Sequence, residues 1–258
     1  MSSPETAALA EISAAAPPPQ KVWKFWGTCL WGALVFVAMF AGQFALVACC
    51  LVLRGPPFDL ASMRAVAGSG TVISLSVMMG LPAVLAVLWL AIRRSGIAFT
   101  DYLALRRTSW GNLVIGVVAL VVLVVGWDMV ARAIGREVAP GFMVDVLKSA
   151  QADGALWLLV IAFSIAAPIT EELMVRGFLY RGWSESFLGP AGAIVLSSLV
   201  WTAMHAQYYD WFLFSEVMSI GLVLGVMRWR SNSTWLTIIM HGLNNFAATL
   251  QTLWLAGQ

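Results

Sequence analysis

Two adjacent carboxylates, Glu171 and Glu172, follow an apolar run that begins near Ala155, and Arg176 lies four residues beyond the second. On a helix, Glu172 and Arg176 share a face and can pair. Glu171 is turned about 100° away from Glu172. One carboxylate can thus be anchored while its neighbour stays available for chemistry. The chain has only two histidines, His205 and His241, and both fall in apolar runs. Asn245 lies four residues after His241, on the same helix face, with Asn244 beside it. These residue types suit hydrolysis. A glutamate kept from full hydration acts as a general base toward water. One histidine holds that water or moves its proton. A second histidine and an amide donate hydrogen bonds to an oxyanion.

Composition says where these groups must sit. Of 258 residues, 60% are apolar and 11% charged, and the mean hydropathy is +0.85. A soluble domain carries about 25% charged residues. This chain cannot cover a water-exposed surface, which excludes a soluble enzyme and a disordered chain. A net charge of +2 provides no basic field for nucleic acid. An all-α, polytopic transmembrane helix bundle is expected. An ionisable side chain at the bilayer centre costs about 2.5–3.5 kcal/mol on insertion scales. Two histidines, two glutamates and one or two asparagines on three spans therefore call for a shared, wet cavity in which they satisfy one another. The bland alternative is that Glu171 and Glu172 mark a helix end, with Arg176 snorkelling to the interface.

The apolar runs give about seven spans (six to eight): Phe25–Leu53, Val72–Ile92, Leu113–Val130, Ala155–Phe178, Ala191–His205, Phe212–Met227 and Trp235–Leu255. The fifth and sixth are short for the ~20 residues a span needs. Residues 1–20, rich in Ala, Ser and Pro, read as a disordered tail, and 21–258 as a single membrane domain. With the N-terminus in the cytoplasm, ten basic residues fall on the inner side and five outside. Localisation in a bacterial inner membrane follows. Thr100–Arg107, with Thr100 as a cap, and Met143–Ala150 read as interfacial connectors. Pro168 should kink the fourth span just before the carboxylates. Gly221 and Gly225 form a GxxxG face for close packing, within the chain in preference to an oligomer. Glu216 reads as interfacial in preference to lining a substrate path, and Trp23, Trp26, Trp31, Trp110, Trp183 and Trp229 as belt residues. Cys29, Cys49 and Cys50 form no disulfide framework and are read as small apolar residues.

Other chemistries fit less well. Zinc could be held by Glu171, His205 and His241, but no HExxH and no paired-cysteine spacing is present, so a metal-free site is preferred. There is no GxSxG, and only Asp128 among the aspartates lies near a span. One point of geometry is untidy. His241 is about seven residues from its span's inner end, or ~10 Å, and His205 about fifteen residues from Pro190, or ~22 Å. The two meet only if the fifth helix is tilted or starts outside the membrane.

The same residues resemble a known family. Glu171-Glu172-Leu173-Met174-Val175-Arg176 is similar to the EExxxR motif of the CPBP family, the CAAX-protease and bacteriocin-processing membrane proteins. Trp201-Thr202-Ala203-Met204-His205 resembles its FxxxH motif with Trp in place of Phe, and His241-Gly242-Leu243-Asn244-Asn245 resembles HxxxN. The resemblance covers about 155–255. It implies an intramembrane endopeptidase of the prenyl-protein type that cuts near the C-terminal tail or a membrane-proximal segment of a membrane-associated substrate. It implies Glu171 and His205 as water activators, His241 and Asn245 as oxyanion donors, and Glu172 and Arg176 as supporting residues. The implied partners are a peptide or protein substrate and the bilayer. A catalytically silent immunity protein on the same scaffold, or a proton-coupled transporter, are the competing readings.

Overall fold

The computed structural model describes residues 21–138, 141–208 and 210–256. The tail expected over 1–20 lies outside the described residues. Among the described residues there are ten helices and no strand. These are α1 (Phe25–Arg54), α2 (Leu60–Ala67), α3 (Gly70–Ser95), α4 (Phe99–Tyr102), α5 (Trp110–Ala133), α6 (Gly141–Ala152), α7 (Leu156–Ser184), α8 (Gly189–Ala203), α9 (Trp211–Ser231) and α10 (Thr234–Ala256). The protein is an all-α polytopic bundle.

Five helices, α1, α3, α5, α7 and α9, are long and apolar enough to cross a membrane. The sixth expected span is longer than its apolar run suggested. α9 has 21 residues: it starts one residue early, at Trp211, where the Asp210 carboxylate accepts from the amides of Phe212 and Leu213, and runs four residues past Met227 to Ser231. The fifth remains short, at 15 residues in α8. α10 is 23 residues long but less apolar. His241, Asn245, Thr249 and Thr252 recur along it at helical spacing and form a polar stripe.

α7 is the spine of the site. It is not uniformly α-helical: Ala162–Ala166 and Leu173–Leu179 form wider π turns. In each, a late residue pairs five back, Ala167 N–H to Ala162 and Tyr180 N–H to Val175. Where the helix returns to four-back pairing, one carbonyl is skipped. The skipped groups are Phe163 and Arg176. Each is filled from another helix: Asn245 Nδ2 donates to Phe163 O at 3.0 Å, and Arg228 Nε donates to Arg176 O at 3.0 Å. Pro168, expected to kink this helix, lies just beyond the first wide turn. It has no N–H to give the Ser164 carbonyl four residues back. α10 passes close at that point: a Cβ on Gly242 would sit 2.7 Å from Ser164 O.

The remaining helices hold this spine. α1 packs along α3, α8 against α9, and α9 against α5. A Cβ at Gly221 would lie 3.2 Å from both Ser198 and Trp201 atoms, and one at Gly225 would lie 2.8 Å from Ile194. The GxxxG face is thus turned onto α8 within the chain. The main core gathers Val35, Leu88, Phe178, Leu179 and Leu224 around the second wide turn.

The connectors differ in detail from the sequence reading. Thr100 does not cap a helix. It lies inside α4, whose N-cap is Ala98. The connector is a docking pad: Thr234 Oγ1 donates to Leu103 O at 2.6 Å and Thr234 N to Ala104 O at 3.0 Å, seating the start of α10. The second connector forms α6 as expected, with Val146, Leu147 and Ala150 buried and Asp145 and Lys148 exposed. Trp26, Trp110 and Trp229 are exposed belt residues, whereas Trp183 is buried in the core.

Candidate active site

α7 carries Glu171 and Glu172 between its two wide turns, α8 carries Trp201 and leads into His205, and α10 carries His241 and Asn245. The two glutamates have separate fates, as their 100° offset requires. Glu172 is fully buried, and its Oε1 takes the Arg176 guanidinium at 2.8 Å and His241 Nδ1 at 3.1 Å. Arg176 is equally buried. Its second arm reaches Gly221 O at 3.1 Å, and its guanidinium carbon lies 4.8 Å from the centre of the Trp201 ring. Arg176 is therefore locked inside the bundle and does not snorkel to an interface. The charges neutralise one another where water is absent, and any one of them alone would be costly.

Glu171 points elsewhere. It is partly exposed and lines a cavity of about 510 Å³. Trp201, His205, Asn244 and Asn245 line the same cavity. Trp201 Nε1 donates to Glu171 Oε2 at 2.6 Å. His205 Nδ1 is 2.9 Å from the Trp201 carbonyl, which orients its ring. The Trp201 ring stands edge-on between the histidines, with centroids 4.7 Å from His205 and 5.3 Å from His241. The histidines that looked mismatched in depth thus meet at one aromatic ring. Asn245 donates one amide hydrogen to Phe163 O, which fixes the amide plane and leaves its second hydrogen for a ligand.

All six residues picked from the sequence belong to one constellation, divided between a dry network (Glu172, Arg176, His241) and a cavity wall (Glu171, His205, Asn245). His241 is 2% exposed and held by Glu172. Among the described residues no three His, Cys, Asp or Glu side chains are grouped to hold a metal ion. Glu171, His205 and His241 are not gathered into such a group.

The cavity also has polar walls that sequence reasoning missed. Glu216, read as interfacial, lines it together with Asp128 and Gln251. Gln251 Nε2 donates to Asp128 Oδ2 at 2.6 Å. The signal was present in α10: Gln251 continues the polar register of Asn244, and α10 crosses the cavity along its length. Trp201 stands where the motif has Phe, and it brings an N–H that Phe lacks.

A helical membrane bundle with a glutamate, a histidine and an amide on one cavity wall has the parts of an intramembrane hydrolase. Residues 153–247 match the family described as type II CAAX prenyl endopeptidase Rce1-like. The motifs that resembled the CPBP pattern all lie within this stretch. An Escherichia coli protein described as "Uncharacterized 24.3 kDa protein" is 28% identical over 125 residues, 48% of this chain and 56% of that one. The UPF0177 protein YbdI of Lactococcus lactis subsp. lactis (strain IL1403) is 34% identical over 87 residues, 33% of this chain and 44% of that one. The chain spans about half the length of the curated relatives it matches. No solved structure matches it.

Proposed function

We propose that the protein is an intramembrane endopeptidase that hydrolyses a peptide bond near the C-terminal tail or a membrane-proximal segment of a membrane-associated substrate. The observation that carries this reading is the convergence of Glu171, His205 and Asn245 on one cavity inside a membrane bundle. A water in that cavity gives a proton to Glu171 Oε1 as its oxygen attacks the scissile carbonyl carbon, with His205 steering the water. The carbonyl oxygen becomes an oxyanion. The free Asn245 amide hydrogen stabilises it, while His241, held by Glu172 behind the cavity wall, supports the site instead of donating to the oxyanion. The intermediate collapses, the C–N bond breaks, and Glu171 returns its proton to the leaving nitrogen. No cofactor takes part.

Residence in a bacterial inner membrane with a cytoplasmic N-terminus is part of the same reading, supported by the basic residues of the inner segments. The test is comparative peptide profiling of membranes from cells carrying the wild-type or the Glu171→Gln protein. A peptide or membrane-protein tail should persist uncleaved in the variant alone. Indistinguishable profiles would count against the reading.

A further inference from the structure

We propose that Trp201 is a positioning residue for Glu171: its indole N–H holds one carboxylate oxygen so that the other faces the cavity. This rests on the endopeptidase reading above and extends it to a residue that no motif assigns.

Three observations carry it. First, the Trp201 Nε1 to Glu171 Oε2 distance is 2.6 Å, the short range of a hydrogen bond to a charged acceptor. A carboxylate in a half-wet cavity otherwise rotates, and a general base must be held at the geometry of the proton it takes. Second, the donor itself cannot wander. Trp201 is 3% exposed, its ring stacks beneath the Arg176 guanidinium, and its edges meet both histidines. The Glu172–Arg176–His241 network therefore meets Glu171 across this ring. Third, the place is reserved for it on α9, where Gly221 leaves 3.2 Å between its would-be Cβ and the Trp201 ring. The Phe of the FxxxH pattern fills much of the same space and has no N–H to give. This chain therefore secures its base by a bond that the pattern's own residue cannot make.

The decisive variant is Trp201→Phe, compared with site-specific benzothienylalanine at 201, which keeps the ring shape and replaces only the N–H. Both should lower kcat by roughly ten- to hundredfold with KM unchanged, the loss of one hydrogen bond to a charged group. A packing role would instead be rescued by benzothienylalanine, and that result overturns the proposal. A second readout needs no substrate. In ¹⁵N-indole-labelled protein in micelles, the Trp201 N–H resonance, identified by its loss in Trp201→Phe, should move upfield in Glu171→Gln as its charged acceptor is lost. A resonance indifferent to Glu171→Gln overturns the pairing. If wild-type protein cleaves nothing while the resonance behaves as stated, the endopeptidase reading fails and the pairing stands.

Discussion

Glu172 and Arg176 each have no exposed side-chain surface, and each exists there because of the other. Taking two charges out of water is costly, and their attraction repays it only when further bonds complete the set. Here His241 and the Gly221 carbonyl add such bonds, although Glu172 Oε2 and Arg176 Nε find no hydrogen-bond partner among the described residues. Removing one partner leaves an uncompensated charge. Arg176→Met should destabilise the protein by about 3–5 kcal/mol, and the double variant Glu172→Gln/Arg176→Met should recover much of that, both read by thermal unfolding in detergent. The i,i+4 pairing was legible from spacing alone, and so was the divergence of Glu171 from Glu172. What pairs with His241 was not legible, because the two residues are 69 positions apart and only the fold brings them together.

At the scale of elements, the departure of α7 from α-helical pairing decides the geometry. Each wide turn skips one carbonyl, and α9 and α10 supply Arg228 and Asn245 to fill the gaps. The same bonds register those helices against the glutamates. Arg228→Met leaves the Arg176 carbonyl buried without a donor. The expected cost is about 1–3 kcal/mol, with faster hydrogen exchange at the end of α7 as the local sign. Helix existence was readable from apolar runs, and six of the seven runs became helices within a few residues of their expected ends. The wide turns were not readable. Pro168 marked the place, but a proline signals a disturbed turn without saying that the turn widens. α10 is long enough for a span but less apolar, because polar side chains replace apolar ones along the face it turns to the cavity, whereas α8 is apolar and simply short.

For the whole molecule, scarcity of charge is the organising fact. A membrane gives little hydrophobic drive for helices to associate, so small residues and satisfied polar groups do the packing. Gly221, Gly225 and Gly242 bring α9 and α10 against α8 and α7, and those contacts draw Glu171, His205 and Asn245 to one cavity. The sequence located the site by its unaffordable polar residues but missed the extent of the cavity. Asp128, Glu216 and Gln251 sit near helix ends, where a polar residue is ordinary and carries no signal. In the proposed reaction Glu171 activates water without a metal. The most direct measurement is cleavage of a membrane-tethered peptide by purified protein in liposomes, with and without a strong chelator, for the wild type and Glu171→Gln. The account predicts that the variant inserts and folds but loses at least about a hundredfold in kcat, and that wild-type activity survives chelation. Full activity in Glu171→Gln would contradict it.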